Sequence, residues 1–261
     1  MKIVTWNCNG ALRNKTEALD TLNADVYVVQ ECENPSLSTS KFQEWAGDHL
    51  WMGTSKHKGL GIFPKKGNTV QASQWQGTFS HAGVINSSPS SSWTTDDLKL
   101  FLPFILNNKY QVLGVWTKAD HAEVFSYIGQ LWKYLQIHRD QLNRSNTILL
   151  GDFNSNRIWD KPDCWWNHSD VVEELAAICL ESLYHQQTLE APGQETTPTF
   201  FLQRNLEKAY HIDYVFVSQN LMSCSHLQIG NQEQWLGLSD HMPLTLSLSL
   251  IHISEPTRQA E

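Results

Sequence analysis

Asp152 and Asn154 stand two positions apart in GDFNSN (151–156), directly behind the apolar run Ile148-Leu149-Leu150. A polar pair at the end of a buried strand can close a turn. It can also be half of a metal and phosphate site. Four further clusters share this placement: Asn7 and Asn9, Glu31, Asp213, and Ser239-Asp240-His241. If the strand ends converge, their carboxylates share a small volume, and a divalent cation relieves the repulsion. An oxygen-only ligand set favours Mg2+ over zinc, with Mn2+ as the alternative.

These residues require strands that end together. Residues 2–6 form a β-prone run that breaks at Asn7-Cys8-Asn9-Gly10, and 26–29 form a second, ending at Gln30-Glu31. Leu12, Ala18, Leu19 and Leu22 between them have helical spacing, so this region predicts a β-α-β unit. A short helix over 40–46 carries Phe42 and Trp45, and 60–63 is a strand followed by a turn at 65–68. Segments 98–106 and 110–117 flank Asn107-Asn108-Lys109 as a hairpin. NSSPSSSWTT (86–95) is low in complexity and predicts a loop. Asp120 and Glu123 have capping-box spacing and predict a helix whose inner face is Val124, Ile128, Leu131 and Leu135. A second helix is expected from Ser169 or Asp170, with Val172, Leu175, Ile178 and Cys179 facing inward. Late strands are expected at 199–201, 211–217 and 243–248. Two sheets packed together with helices outside satisfy this pattern.

The 261 residues are 41% hydrophobic and 18% charged, enough for one large domain or two small ones, and no Pro-rich or charged linker divides them. A net charge of −8 argues against a broad basic surface for non-specific nucleic-acid binding but leaves room for a local basic groove. The five cysteines are scattered without zinc-type spacing and are expected to be reduced and structural. No apolar run reaches membrane-spanning length. The first strand begins at Lys2, leaving no room for a signal peptide, so a cytoplasmic protein is expected; a monomer is expected as well.

In order along the chain, TWNCNG, VVQECE, GDFNSN, HIDYVFVS and SDHMPL resemble the five motifs of the endonuclease/exonuclease/phosphatase family. That family includes pancreatic-type deoxyribonuclease, exonuclease III-like enzymes, sphingomyelinases and inositol polyphosphate 5-phosphatases. The resemblance runs from residue 2 to about 247. It implies a four-layer α/β sandwich, with two mixed β-sheets packed face to face and flanked by helices. It also implies Glu31 as the principal Mg2+ ligand, Asp240 as a second contact, and Asn9 as a weaker one where many relatives have aspartate. Asp152 and Asn154 resemble the pair that orients the attacking water and holds the phosphate, and Asn7 the amide that positions it. His241 is similar to the histidine at the scissile phosphate, with Asp213 fixing its tautomer. Water would then attack in line, with charge neutralised by Mg2+ and protonated His241. Either Asp152 or His241 can take the water's proton.

The implied activity is Mg2+-dependent phosphodiester hydrolysis, with DNA or RNA as the expected substrate. A phosphatase acting on a small phosphorylated metabolite or lipid headgroup is the alternative, and an inactive binding scaffold the third reading. No extra motif of the inositol phosphatase or sphingomyelinase type is visible. Trp116 stands where several nuclease relatives place a histidine or tyrosine at the leaving-group side. Indole cannot act as a general acid, which leaves stacking on a base or a core or rim position. Lys118 and His121 are either phosphate contacts or solvated side chains. His81 and His185 read as surface or satisfied structural histidines. Residues 197–201 with Arg204 resemble the substrate-facing loop of exonuclease III-like members. Residues 248–258 resemble the translation of a sequencing-transposase adapter. The domain is therefore expected to span 1–247, with 248–261 a foreign tail that carries no function.

Overall fold

The computed structural model describes residues 1–80, 92–119 and 125–249. Outside them lie His81, the Asp120–Glu123 capping pair, His121, most of the 86–95 loop and the tail from 250.

Two six-stranded sheets form the centre. The first is ordered Ser225–Ile229, Leu244–Leu248, Lys2–Asn7, Val26–Cys32, Lys58–Pro64, Leu50–Ser55. The second is ordered Leu180–Ser182, Asp213–Ser218, Thr147–Asp152, Tyr110–Trp116, Phe101–Leu106, Val70–Ala72. Each sheet is mixed, with one parallel pair at its heart: Lys2–Asn7 beside Val26–Cys32, and Tyr110–Trp116 beside Thr147–Asp152. Ile3, Val28 and Ile62 of one sheet meet Val112, Leu150 and Val215 of the other. The alternate residues Val4, Trp6, Tyr27 and Val29 pack outward with Phe42 and Ala46 of the Ser40–Ala46 helix. Leu113, Leu149 and Phe216 pack on the opposite outer face with Leu131, Leu135, Val171 and Leu175 of the Ile128–Leu142 and His168–Ala176 helices. This is the expected four-layer sandwich. Central strands buried on both faces explain why they read as unbroken apolar runs. At Gly114 a Cβ would lie 3.2 Å from Val28 Cγ1, so the sheets approach one another closely there.

Several expected boundaries move. The long helix begins at Ile128, because Tyr127 holds φ 52 and ψ −120, which a helix cannot continue through. The second helix begins at His168, capped by Asn167 in a reciprocal pair with Asp170, so Val171 rather than Val172 is fully buried. Cys179 is exposed at φ 59, past the helix end. Residues 98–100 stay outside the hairpin strand, with Leu100 at φ 70. The edge strand Leu50–Ser55 and the short strand Ser225–Ile229 were not expected from the sequence pattern. The Leu244–Leu248 strand runs one residue past the expected domain end, and the Leu248 N–H donates to Met1 O at 2.7 Å. All five cysteines are free.

Candidate active site

The C-terminal ends of Lys2–Asn7, Val26–Cys32 and Thr147–Asp152 open at the same end of the sandwich as the start of Asp213–Ser218. Asp152 stands opposite Asp213 in their antiparallel pair, and Asn7 opposite Gln30 in its parallel pair. Gly151 makes the approach to Asp152 feasible. It has φ 145, and a Cβ there would sit 1.9 Å from Val115 O.

From this frame the side chains meet across the sheets. Asn7 Nδ2 donates to Asp152 Oδ2 at 2.8 Å, while its Oδ1 is fixed by the Asn9 N–H at 3.0 Å. Asn154, in a left-handed turn at φ 46, folds its side chain back so that Nδ2 also donates to Asp152 Oδ2 at 2.8 Å. Its backbone N–H holds the other oxygen at 2.8 Å. Three donors therefore orient one buried carboxylate. His241 lies between two aspartates: Nδ1 is 2.9 Å from Asp213 Oδ2, and Nε2 is 4.0 Å from Asp152 Oδ2. Its backbone is held by Trp6 Nε1, which donates to His241 O at 2.9 Å, and by Ser239 Oγ, which accepts from His241 N at 3.1 Å. Thr199 Oγ1 accepts from Asp213 N at 3.0 Å, fixing the start of that strand.

The electrostatics follow from these contacts. Burial alone would keep the His241 imidazole neutral, but Asp213 and then Asp152 outweigh it and raise its pKa to about 9. Burial raises the Asp152 carboxyl to about 7, with His241 pulling it down and Asp213 pushing it up. The cluster thus favours a protonated imidazole beside a carboxylate that can exchange a proton near neutrality. In that state the Asp152 carboxylate can accept a proton from a water and the imidazolium can donate one.

Glu31 lies beside this cluster. It is inside the Val26–Cys32 strand rather than after it, at φ 59 on a bulge between Gln30 and Cys32. Oε1 is 3.4 Å from Asn7 Nδ2, and Oε2 is ion-paired with Lys58. The protein itself thus sets a cation against Glu31, while Asp152 accepts from three amide N–H groups and keeps a free lone pair on Oδ1. Asp240, half-buried, has Oδ1 3.4 Å from Ser239 Oγ. The carboxylates of Glu31 and Asp240 each offer oxygen, the donor type that a hard divalent cation takes. Asn9 is exposed at φ 51, and its backbone N–H is its contact with the site. The ligand atoms of Asp152, Asp213 and His241 also lie within 4.8 Å of one another.

Trp116 is buried, 5% exposed, which corresponds to the core reading and not the stacking one; its backbone N–H donates to Leu100 O at 3.0 Å. Lys118 is exposed, with Nζ 5.8 Å from the Trp116 ring. His185 is a satisfied structural histidine, bonded to Ser182 and Glu195. Phe200 brings its ring 4.5 Å from that of His241, whereas exposed Arg204 rests on Gly237 O and Leu238 O at 3.3 and 3.4 Å. Sequence reasoning missed Lys58 as the partner of Glu31 and Thr199 as the cap of Asp213. Thr199 was visible within its motif, but nothing local marks Lys58.

A family model described as the Endonuclease/Exonuclease/phosphatase family matches residues 4–241. Comparison with curated proteins gives no match. Among solved structures, a 3′ phosphatase from Neisseria bound to a product DNA hairpin aligns at TM-score 0.66 and 17% identity, over 95% of this chain and 99% of that one. A 3′-5′ exonuclease from Neisseria meningitidis aligns at 0.65 and 19%, over 95% and 100%. An AP endonuclease from Archaeoglobus fulgidus aligns at 0.64 and 15%, over 96% and 100%. At these identities the likeness concerns the fold.

Proposed function

The chain belongs to the endonuclease/exonuclease/phosphatase family, and from that premise we propose that it is a divalent-metal-dependent phosphodiesterase that cuts nucleic acid. The observation that carries this reading is the facing pair: Asp152, oriented by three amide donors, and His241, held by Asp213 with Nε2 4.0 Å from Asp152. Asp152 and Asn154 hold the attacking water, and Asn7 steadies the phosphate. His241, as an imidazolium, faces charge that develops on the phosphoryl oxygens, and Asp213 keeps its Nε2 turned toward them. Glu31 and Asp240 hold the cation, Mg2+ by preference, with Asn9 at the rim. When bound, the cation supplies charge neutralisation at the phosphate. Trp116 cannot protonate the leaving group, so that proton comes from His241 or from water.

Polynucleotide is favoured as substrate by the structural relatives, named for a DNA 3′ phosphatase, an exonuclease and an AP endonuclease. The first of these also favours a second reading, removal of a terminal phosphate from DNA at the same site. Among the described residues no helix is long and apolar enough to cross a membrane. The test is purified protein with single-stranded DNA, duplex DNA, RNA and phosphate monoesters, each with Mg2+ or with EDTA. Mg2+-dependent chain cleavage is expected. Phosphate release from monoesters alone would replace the nuclease reading with the phosphatase one, and silence on every substrate would overturn both.

A further inference from the structure

A second buried polar network lies next to the hydrolytic cluster and touches none of the groups assigned to chemistry. Asn156, two residues past Asn154, donates from Nδ2 toward Glu195 Oε2 at 3.0 Å, His211 O at 2.9 Å and Tyr214 Oη at 3.1 Å. Its Oδ1 accepts from the Ile158 N–H at 3.0 Å. The Glu195 side chain is 4% exposed. Its Oε1 accepts from the Gly193 N–H at 3.0 Å and lies 3.0 Å from His185 Nε2. With Nε2 donating, His185 Nδ1 is left to accept from the Ser182 hydroxyl, 2.7 Å away. His211 Nδ1 donates to Thr197 O at 2.8 Å. Burial opposes charge on Glu195, yet the hydrogen bonds from His185, Gly193 and Asn156 hold its carboxyl down at about 2.

The network joins three segments that are remote in sequence and that each carry part of the site. The 152–156 segment bears Asp152 and Asn154. The 195–199 segment ends at Thr199, the cap of Asp213. The 211–214 segment bears Asp213 itself. Buried charged groups of this kind add little net stability, since well-packed apolar residues commonly replace them without loss. Their contribution lies in fixing one arrangement. We propose that Asn156 and Glu195 are positioning residues, which lock the loop behind Asn154 to the segments carrying Thr199 and Asp213 and so keep Asp152 and His241 in register. The kinetic part of this inference rests on the hydrolytic reading of the site.

The experiment compares wild type with Asn156→Ala, Glu195→Gln, Asn156→Asp and Asn156→Asp/Glu195→Gln in two readouts. The first is kcat and KM on a cleaved polynucleotide. The second is the imidazole N–H resonance of His241 in proton–nitrogen spectra of the metal-free protein. Misplacement on the ångström scale costs up to about 100-fold in rate, so kcat falls roughly 10- to 100-fold in Asn156→Ala and in Glu195→Gln while KM stays within about twofold. The His241 resonance shifts in both. Asn156→Asp, which sets two carboxylates face to face, is worse than Asn156→Ala, and Glu195→Gln in the double variant recovers part of the loss. Glu195→Gln keeps the side-chain shape and carries the test should Asn156→Ala fail to fold. Wild-type kcat in both Asn156→Ala and Glu195→Gln would overturn the proposal, as would a fall in kcat with the His241 resonance unmoved. Should wild type cleave no phosphoester, the hydrolytic reading fails separately, and the His241 resonance still decides whether the network positions the imidazole.

Discussion

His241 and His168 are both buried, 4% and 1% exposed, and their protonation is driven in opposite directions. Beside His241 stand two carboxylates, one at hydrogen-bond distance, and its pKa rises to about 9 against the pull of burial. Neither ring nitrogen of His168 has a partner among the described residues, and burial lowers its pKa to about 4 despite the more distant Asp160 and Glu195. Depth in the fold therefore does not decide the charge. A directly bonded carboxylate does. The first histidine is prepared to meet an anion, and the second is kept neutral against Tyr214, ring centres 5.0 Å apart.

The largest effect expected is at the carboxylate facing His241. Asp152→Asn keeps the size of the side chain but removes the groups' proton exchange, and activity should fall by about 10^4, the upper end of general acid–base effects. Circular dichroism should show the fold unchanged, and a rate near wild type would refute the assignment. Asp213→Asn makes His241 resemble His168 more closely. A loss of about 10^2 to 10^3 in rate is expected, together with a clear fall in the His241 pKa when metal-free protein is titrated by NMR. An unmoved pKa would show that Asp213 is not the controlling partner.

The contrast also has a stability consequence. His168 has its folded pKa below its unfolded one. Its contribution is complete above the ordinary value of 6.5 and is lost as pH falls from there toward about 4, because only the unfolded chain binds the proton. Urea titrations should show stability declining over that window, with His168 responsible for roughly 3 kcal/mol at most. His168→Phe should flatten this slope in part, His138 remaining as a second group lowered to about 4. An identical pH slope in the variant would contradict the claim. The smallest effect is at Trp116. Since the indole is buried, Trp116→Phe should cost about 1 kcal/mol in denaturation and leave KM nearly unchanged. A large rise in KM would restore the stacking reading.

The sandwich was legible because its central strands are buried on both faces, so that 26–29, 112–116 and 148–150 are free of polar side chains. The site was legible for a related reason: polar residues such as Asn7 and Asp152 are abrupt at the ends of those runs. Where burial is one-sided, the pattern weakens. Leu50–Ser55 is an edge strand with half-exposed residues, and it carries no alternation to detect. Tyr127, whose backbone conformation starts the long helix, has no sequence mark of a breaker. The pairs Lys58–Glu31 and Asn156–Glu195 join residues far apart in the chain, and only folding brings their charges and amides together. His185 could be read as satisfied but not as the partner of Glu195 for the same reason.

The most direct test of the account is the origin of the oxygen on the product phosphate. Cleavage of a polynucleotide with Mg2+ in heavy-oxygen water, followed by mass spectrometry of the fragments, should place one solvent oxygen on the terminal phosphate and none on the released hydroxyl. That result is what attack on phosphorus by a water held at Asp152 and Asn154 requires. Cleavage that leaves the phosphate without solvent oxygen would contradict it.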